Sequence, residues 1–305
     1  MRIIFMGTPE FAVASLEALL QAGENVVAVV TAADKPAGRG QKLQESAVKK
    51  FAVANHIPVL QPEKLKDPVF LSELQRYHAD LQVVVAFRML PEVVWSMPPR
   101  GTINLHASLL PQYRGAAPIN HAIINGEKES GVTTFFLQHQ IDTGNMLFSE
   151  KIPIGPHDTA GNLHDKLMAS GAQVLVKTVA SIRSGQYQEM PQVNISNIPL
   201  KHAPKIFKQD CEIDWNQPVH DVYNFIRGLS PYPTAFTNFQ GKTLKIFDCR
   251  PHEAVMADQP GSILTDGNHE LKYVAQGGTI DVLELQLEGK KRMGVAEFLR
   301  GVRTD

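Results

Sequence analysis

An unbroken apolar run at residues 2–6 (RIIFM), rather than an alternating one, predicts a strand buried on both faces. Gly7-Thr8-Pro9-Glu10 follows as a helix start, with Thr8 expected as N-cap and Pro9 at the first helical position. Val13, Leu16 and Leu20 recur at three- and four-residue spacing, Gly23 closes the helix, and NVVAVVT supplies a second strand, so the chain opens as a βαβ unit. Further apolar runs, VVVAF (83–87) and TINLH (102–106), are separated by helical stretches, which is the pattern of a parallel sheet covered on both faces. In GVTTFFLQHQ (131–140) Val132, Thr134 and Phe136 alternate on one side; a turn leads to the extended MLFSEKIPI, and a long helix is expected from about 159 to 183.

From Gly185 to about Lys205 the periodicity stops, and three prolines with several Asn and Gln indicate a linker. Beyond it KTLKIFDC, GSILTD, HELKYVA and TIDVLELQLEG read as short strands divided by Gly, Asp and Asn, which predicts a small β-barrel. The expectation is a doubly wound, Rossmann-like α/β domain over 1–185, a linker over 186–205 and an OB-like C-terminal β-barrel over 206–305. No internal repeat of fixed period interrupts this reading.

Composition narrows the possibilities only slightly. The formal net charge of −1 announces no global basic field for nucleic acid, and residues 201–305 carry acids and bases in near-equal number. Cys211 and Cys249, the only cysteines, offer neither a disulfide framework nor a CxxC metal or redox motif. The opening MRIIFMG is too short for a signal-peptide core, and no run approaches the ~18 apolar residues of a membrane span. A cytoplasmic monomer with no membrane partner is expected, and no metal, since His, Cys and carboxylates never fall at ligand spacing.

Chemistry concentrates in residues 104–144, NLHASLLPQYRGAAPINHAIINGEKESGVTTFFLQHQIDTG, where polar groups meet glycines and prolines at an expected strand end. Asn104 and His106 are two apart in a strand, so both side chains share a face, at the carboxyl end where open α/β sheets hold their ligands. Taken alone, such a pair could equally hydrogen-bond backbone at the strand end. The wider run NLHASLLPQYRGAAP, with Asp142 in a DxG turn, resembles the signature of the folate-dependent formyltransferases. The resemblance extends over FMGTPEFA, DKPAGRGQKL, the second-domain entry IDW and the late GKKRM.

The resemblance implies transfer of a formyl group from 10-formyltetrahydrofolate to the amine of methionine carried by initiator tRNA, with Asn104, His106 and Asp142 as the catalytic group. Physically, Asn104 and a protonated His106 would donate to the oxyanion, and Asp142 would orient the imidazole and favour its charged form. The same resemblance assigns folate binding to Ser108, Leu109, Leu110 and Pro111, and to Phe87, Arg88 and Met89. There the family's Tyr-Gly-Leu type run is replaced, with Arg88 at a glycine-like position. It assigns tRNA contacts to Lys35, Arg39 and Lys42 in the loop after the second strand, Arg39 foremost. Lys205 and Lys208 could face folate or tRNA, and Lys290, Lys291 and Arg292 form a tight basic cluster.

Other uses of these residues fit less well. A single IDTG without a second copy argues against an aspartic protease, GTPEFA replaces the GxGxxG of a dinucleotide cradle, and a pure tRNA-binding module leaves the Asn, His and Asp grouping without a role. A formyltransferase acting on a small amine, glycinamide ribonucleotide or an amino sugar nucleotide, remains the alternative. The β-rich second domain points instead to a large substrate.

Overall fold

In a computed structural model the described residues are 1–37, 42–192 and 199–301. In chain order the first elements are β1 (Arg2–Gly7), α1 (Glu10–Gln21), β2 (Asn25–Val30), β3 (Lys35–Ala37), β4 (Lys42–Gln44), α2 (Ala47–Ala54), β5 (Val59–Leu60), α3 (Pro68–Arg76) and β6 (Leu81–Val85). There follow α4 (Glu92–Trp95), β7 (Thr102–His106), β8 (Arg114–Gly115), α5 (Pro118–Ile124), β9 (Glu129–Phe136), β10 (Met146–Pro153), α6 (Ala160–Ser184) and β11 (His202–Ala203). The C-terminal part supplies α7 (Val219–Leu229), β12 (Ala235–Phe239), β13 (Lys242–Glu253), β14 (Ile263–Thr265), β15 (Leu271–Ala275), β16 (Gly278–Leu287), β17 (Met293–Gly294) and α8 (Val295–Arg300).

Seven strands form one sheet in the order β10-β9-β7-β6-β1-β2-β5. β5, β2, β1, β6 and β7 run parallel, and β9 is antiparallel to β7. Strand order reverses at β1, whose neighbours are β2 and β6, and such a switch point opens a crevice at the carboxyl ends of the strands. The central position of β1 explains its unbroken apolar run: Ile3 to Met6 are fully buried, with one face of the sheet packing Ile4, Met6, Val30 and Val84 against Phe70, Leu74 and Val94.

The first helix departs from the expected cap and face. Pro9, not Thr8, is the N-cap, in extended conformation and without a side-chain cap, and Glu10 opens the helix where a negative charge suits the helix dipole. Its buried face is Phe11, Ala12, Ser15, Leu16 and Leu19, so of the expected trio only Leu16 is fully inside. The cause is close approach: a Cβ on Gly7 would lie 2.6 Å from that of Ala12, so the first turn sits directly on the end of β1 and turns Ala12 inward.

Two compact units result, and they do not follow a single cut in the sequence. The first comprises Met1–Gly115, Gly131–Ile152 and His164–His202; the second adds Ala116–Ser130 and Pro153–Leu163 to the chain from Ala203 onward. Within the second unit α7 packs on α5 and β13, and Asn120 donates to the carbonyl of Gly228 at 2.8 Å, which draws the earlier segment in. Its antiparallel sheet has the order β12-β13-β16-β15-β14, with β17 beside β16. Register shifts in β13 around Ile246 and Asp248 curl it into a half-barrel over a core of Trp215, Tyr223, Ile226, Leu244, Tyr273 and Leu285. Trp215, from the IDW entry, stacks on Tyr273 with ring centroids 4.5 Å apart and donates to Thr237 Oγ1 at 3.0 Å.

β9 tolerates no side chain at Gly131, where a Cβ would stand 2.1 Å from the carbonyl oxygen of Glu150 and 2.5 Å from Leu109 Cδ2. Backbone cannot yield as a flexible side chain can, so Gly131→Ala is expected to destabilise the protein by about 2–3 kcal/mol, read as a lowered urea midpoint. An unchanged midpoint would contradict this packing.

Candidate active site

β7 is paired on both edges, with Asn104 opposite Val84 and Phe135 and His106 opposite Thr133, and the two-residue spacing places both polar side chains on one face. His106 is only 6% exposed. Its Nε2 lies 2.9 Å from the carbonyl oxygen of Tyr113, which can only accept, so that nitrogen carries the proton. Nδ1 faces Asp142 Oδ2 at 3.9 Å, an ion-pair separation too long for a hydrogen bond. The half-buried amide of Asn104 has no hydrogen-bond partner among the described residues. Asn104 and His106 thus share one face of the sheet, and Asp142 meets His106 there, with the imidazole between the Tyr113 carbonyl and a carboxylate.

Asp142 reaches this place by an indirect route. Phe136 pairs with Ile103 and the N–H of Leu137 donates to Thr102, so the loop leaves β9 level with the start of β7. The N–H of Phe136 also donates to the carbonyl of Asn145, closing the loop at the same level. To approach His106 the loop must double back along the face by about 10 Å, three residues of strand rise. Asp142 sits at the bend in the left-handed region, φ 53°, and its Oδ2 accepts from the N–H of Gly115 at 3.0 Å.

The expected folate segment is stitched from within. Ser108 is fully buried and its hydroxyl donates to the carbonyl of Gln112 at 2.7 Å, while Leu110 is buried and Leu109 lies against Gly131. Ser108 and Leu110 thus set the shape of the turn, and Leu109 and Pro111 are half-buried at its surface. Thr133 holds it to β9: its hydroxyl donates to the carbonyl of Ser108 at 2.7 Å and accepts from the N–H of Leu110 at 3.2 Å. In the other segment Phe87 is half-buried and Met89 is 74% exposed. Arg88 is exposed, with its guanidinium 5.6 Å from the centroid of the Phe87 ring. Its guanidinium donates to the carbonyls of Glu63, at 2.8 Å, and Pro62.

The basic candidates are scattered. Lys35 is exposed at the start of the β3–β4 hairpin, Lys42 lies in β4 opposite Ala37, and Arg39 falls outside the described residues. Below the hairpin Lys49 bridges Asp34 and Glu45, and Gln61 donates to Asp34 at 2.7 Å, so the loop has a fixed base. The hydrogen bond from Lys49, and next that from Gln61, hold the Asp34 carboxyl below the usual range. In the second unit Lys205 covers the Phe207 ring at 5.1 Å and Lys208 opens a single 3-10 turn. Lys291 is 82% exposed with only Glu297 at 4.0 Å, whereas Arg292 is gripped by both carboxylate oxygens of Glu284 and covers the Phe247 ring.

Comparison with known proteins supplies the family. Residues 1–179 match the formyl transferase model and residues 205–303 its C-terminal domain model. The chain belongs to the formyltransferase family. It is 54% identical over 307 aligned positions to a methionyl-tRNA formyltransferase of Bacteroides fragilis, covering 99% of this chain and 95% of that protein. It is 50% identical to the protein of the same name in Flavobacterium johnsoniae, covering 99% and 96%. Among solved structures, HypX from Aquifex aeolicus with tetrahydrofolic acid shares the fold at 19% identity and a TM-score of 0.67, over 100% of this chain and 48% of that one. The sugar 3N-formyl transferase WlaRD shares it at 21% identity and a TM-score of 0.67, over 95% and 99%. Among the described residues no His, Cys, Asp and Glu group could hold a metal ion, and no helix is long and apolar enough to cross a membrane.

Three residues of this candidate site were not read from the sequence. Thr133 gave no signal beyond its place in a strand, and Arg114 and Gln192, joined by two hydrogen bonds, lie 78 positions apart. Removing only the hydroxyl at Thr133 tests the stitching of the folate segment. Thr133→Val keeps the shape but leaves the buried Ser108 carbonyl and Leu110 N–H unpaired, and an expected loss of about 2–3 kcal/mol would show in urea unfolding. A loss below ~0.5 kcal/mol would place the hold elsewhere.

Proposed function

We propose that this protein transfers the formyl group of 10-formyltetrahydrofolate to the amino group of methionyl-tRNA. The observation that carries the chemistry is the Asn104 amide, without a partner among the described residues, on the same strand face as His106, whose Nδ1 faces Asp142. The amine attacks the formyl carbon, a C–N bond forms, and the carbonyl electrons move onto oxygen, where the Asn104 N–H donors meet the developing charge. Because Nε2 of His106 is committed to Tyr113, its Nδ1, which faces Asp142, is the nitrogen left to take part, and the two groups together can take up the amine proton. The amine proton passes to His106 and Asp142 or to water, and as collapse breaks the bond to N10 of the folate the same acceptor returns one proton to N10, so that none is gained or lost overall.

The large amine substrate rests on the whole-length likeness to proteins named methionyl-tRNA formyltransferase, which includes the second unit. Initiator tRNA is the inferred substrate, for translation initiation. Two free, buried thiols, Cys211 and Cys249, suit a reducing cytoplasm, where the protein is inferred to act as a monomer. Lys291 is the best-placed member of its cluster for a phosphate, since its ammonium is exposed where the Arg292 guanidinium is already held.

Two measurements test the proposal. With methionyl-tRNA and 10-formyltetrahydrofolate the protein should yield formylmethionyl-tRNA and tetrahydrofolate, and Asn104→Ala should lower turnover about 10²-fold or more with the unfolding midpoint unchanged. Formylation confined to amino sugar or ribonucleotide amines would defeat the tRNA reading, and a near-normal Asn104→Ala rate would defeat the oxyanion role. For binding, Lys291→Ala should reduce the slope of log affinity against log salt by about one phosphate contact. An unaltered slope removes Lys291 from the interface.

A further inference from the structure

The loop that carries Asp142 has every reason to wander. It doubles back along the sheet, its key residue sits at positive φ, and its neighbour Ile141 is exposed. Besides bonds within the loop, from Gln138 to Thr143 and from Thr143 to Gln140, and one from Asn145 to Glu189 at its end, three ties oppose this. His139 stands edge-on to Trp95 with ring centroids 5.5 Å apart and reaches Glu92 at 3.2 Å, but both His139 and Glu92 are exposed, so this tie is weak. The Gly115 N–H holds the Asp142 carboxylate. The third tie comes from Gln192, fifty residues further along the chain.

Gln192 uses its whole hydrogen-bonding capacity on this loop and its support. Nε2 donates to the carbonyl of Asp142 at 2.9 Å and to that of Gly144 at 2.8 Å. Oε1 accepts from Arg114 Nε at 3.1 Å and Nη2 at 2.8 Å. Arg114 adjoins Gly115, so a closed ring results. One side runs from the Arg114 guanidinium through Gln192 to the backbone of Asp142; the other runs from the Gly115 N–H to its side chain. Backbone and carboxylate of one residue are thereby fixed from the same two-residue strand, β8. A carboxylate fixed at both ends has one place to stand, and that place faces Nδ1 of His106.

We propose that Gln192 is a positioning residue for formyl transfer: braced by Arg114, it locks the Asp142–Gly144 turn so that the Asp142 carboxylate is held opposite His106. This rests on the formyl-transfer reading of Asp142. Only a side chain that both donates twice and accepts can close the ring, which excludes Glu and Met at this position although both have the right length.

The test measures kcat and KM for both substrates in Gln192→Met, Gln192→Glu, Asp142→Asn and the double variant Gln192→Met/Asp142→Asn, with urea midpoints alongside. Expected is a fall in kcat of about tenfold or more in both Gln192 variants, with KM for folate and tRNA within about twofold, because substrate contacts are untouched. In the Asp142→Asn background the further Gln192→Met change should cost less than about twofold, since a residue acting through Asp142 has nothing left to position. Wild-type kcat in both Gln192 variants, or a full additional loss in the double variant, would overturn the proposal while leaving an impaired Asp142→Asn, and hence the transfer reading, intact. Wild-type turnover in Asp142→Asn would overturn both.

Discussion

A strand in the middle of a sheet has no choice about where its side chains go, and β7 turns this into a site. Its neighbours β6 and β9 satisfy its backbone on both edges, so Asn104 and His106 cannot rotate away from the face they share. On that face a polar group must either find a partner or await one. His106 has found Tyr113, while Asn104 keeps its donors unspent. Donors held in place before the reaction need no reorganisation when charge develops, which is the source of their effect. The SLLP turn, Thr133 and the Asp142 loop all serve to keep this face shaped and accessible.

The sequence was legible where local pattern and global position agree. Unbroken apolar runs marked β1 and β6, the two-residue spacing in NLH put both catalytic candidates on one face, and four C-terminal runs marked β13 to β16. Helix α7 was not among the expected elements, although Val219, Val222, Tyr223, Ile226 and Leu229 carry a helical period. The rotation of α1 was illegible. It is decided by the missing side chain of Gly7 against Ala12, a contact between an element and the end of its predecessor.

Arg88 shows how a departure from a family pattern can be absorbed. A long charged side chain at a glycine-like position beside a pteridine pocket would obstruct it if it stayed. Here its length lets the guanidinium reach past the Phe87 ring to two carbonyls, at Pro62 and Glu63 in the loop after β5. The length that makes arginine unwelcome near the pocket is what lets it tie the β5 and β6 loops together.

The Asp142 loop sets the limit of reading along a chain. Its DTG letters announce a turn and a carboxylate, yet β9 ends level with Ile103, at the opposite end of β7 from His106. What returns it to His106 is Gln192, in a segment that by composition is only a linker, acting on backbone carbonyls that any residue would present. Hydrogen bonds to backbone leave no trace in the identity of the residue that accepts them. Such a brace is visible only when the chain is folded, and segments that read as connections can hold parts of a site in place.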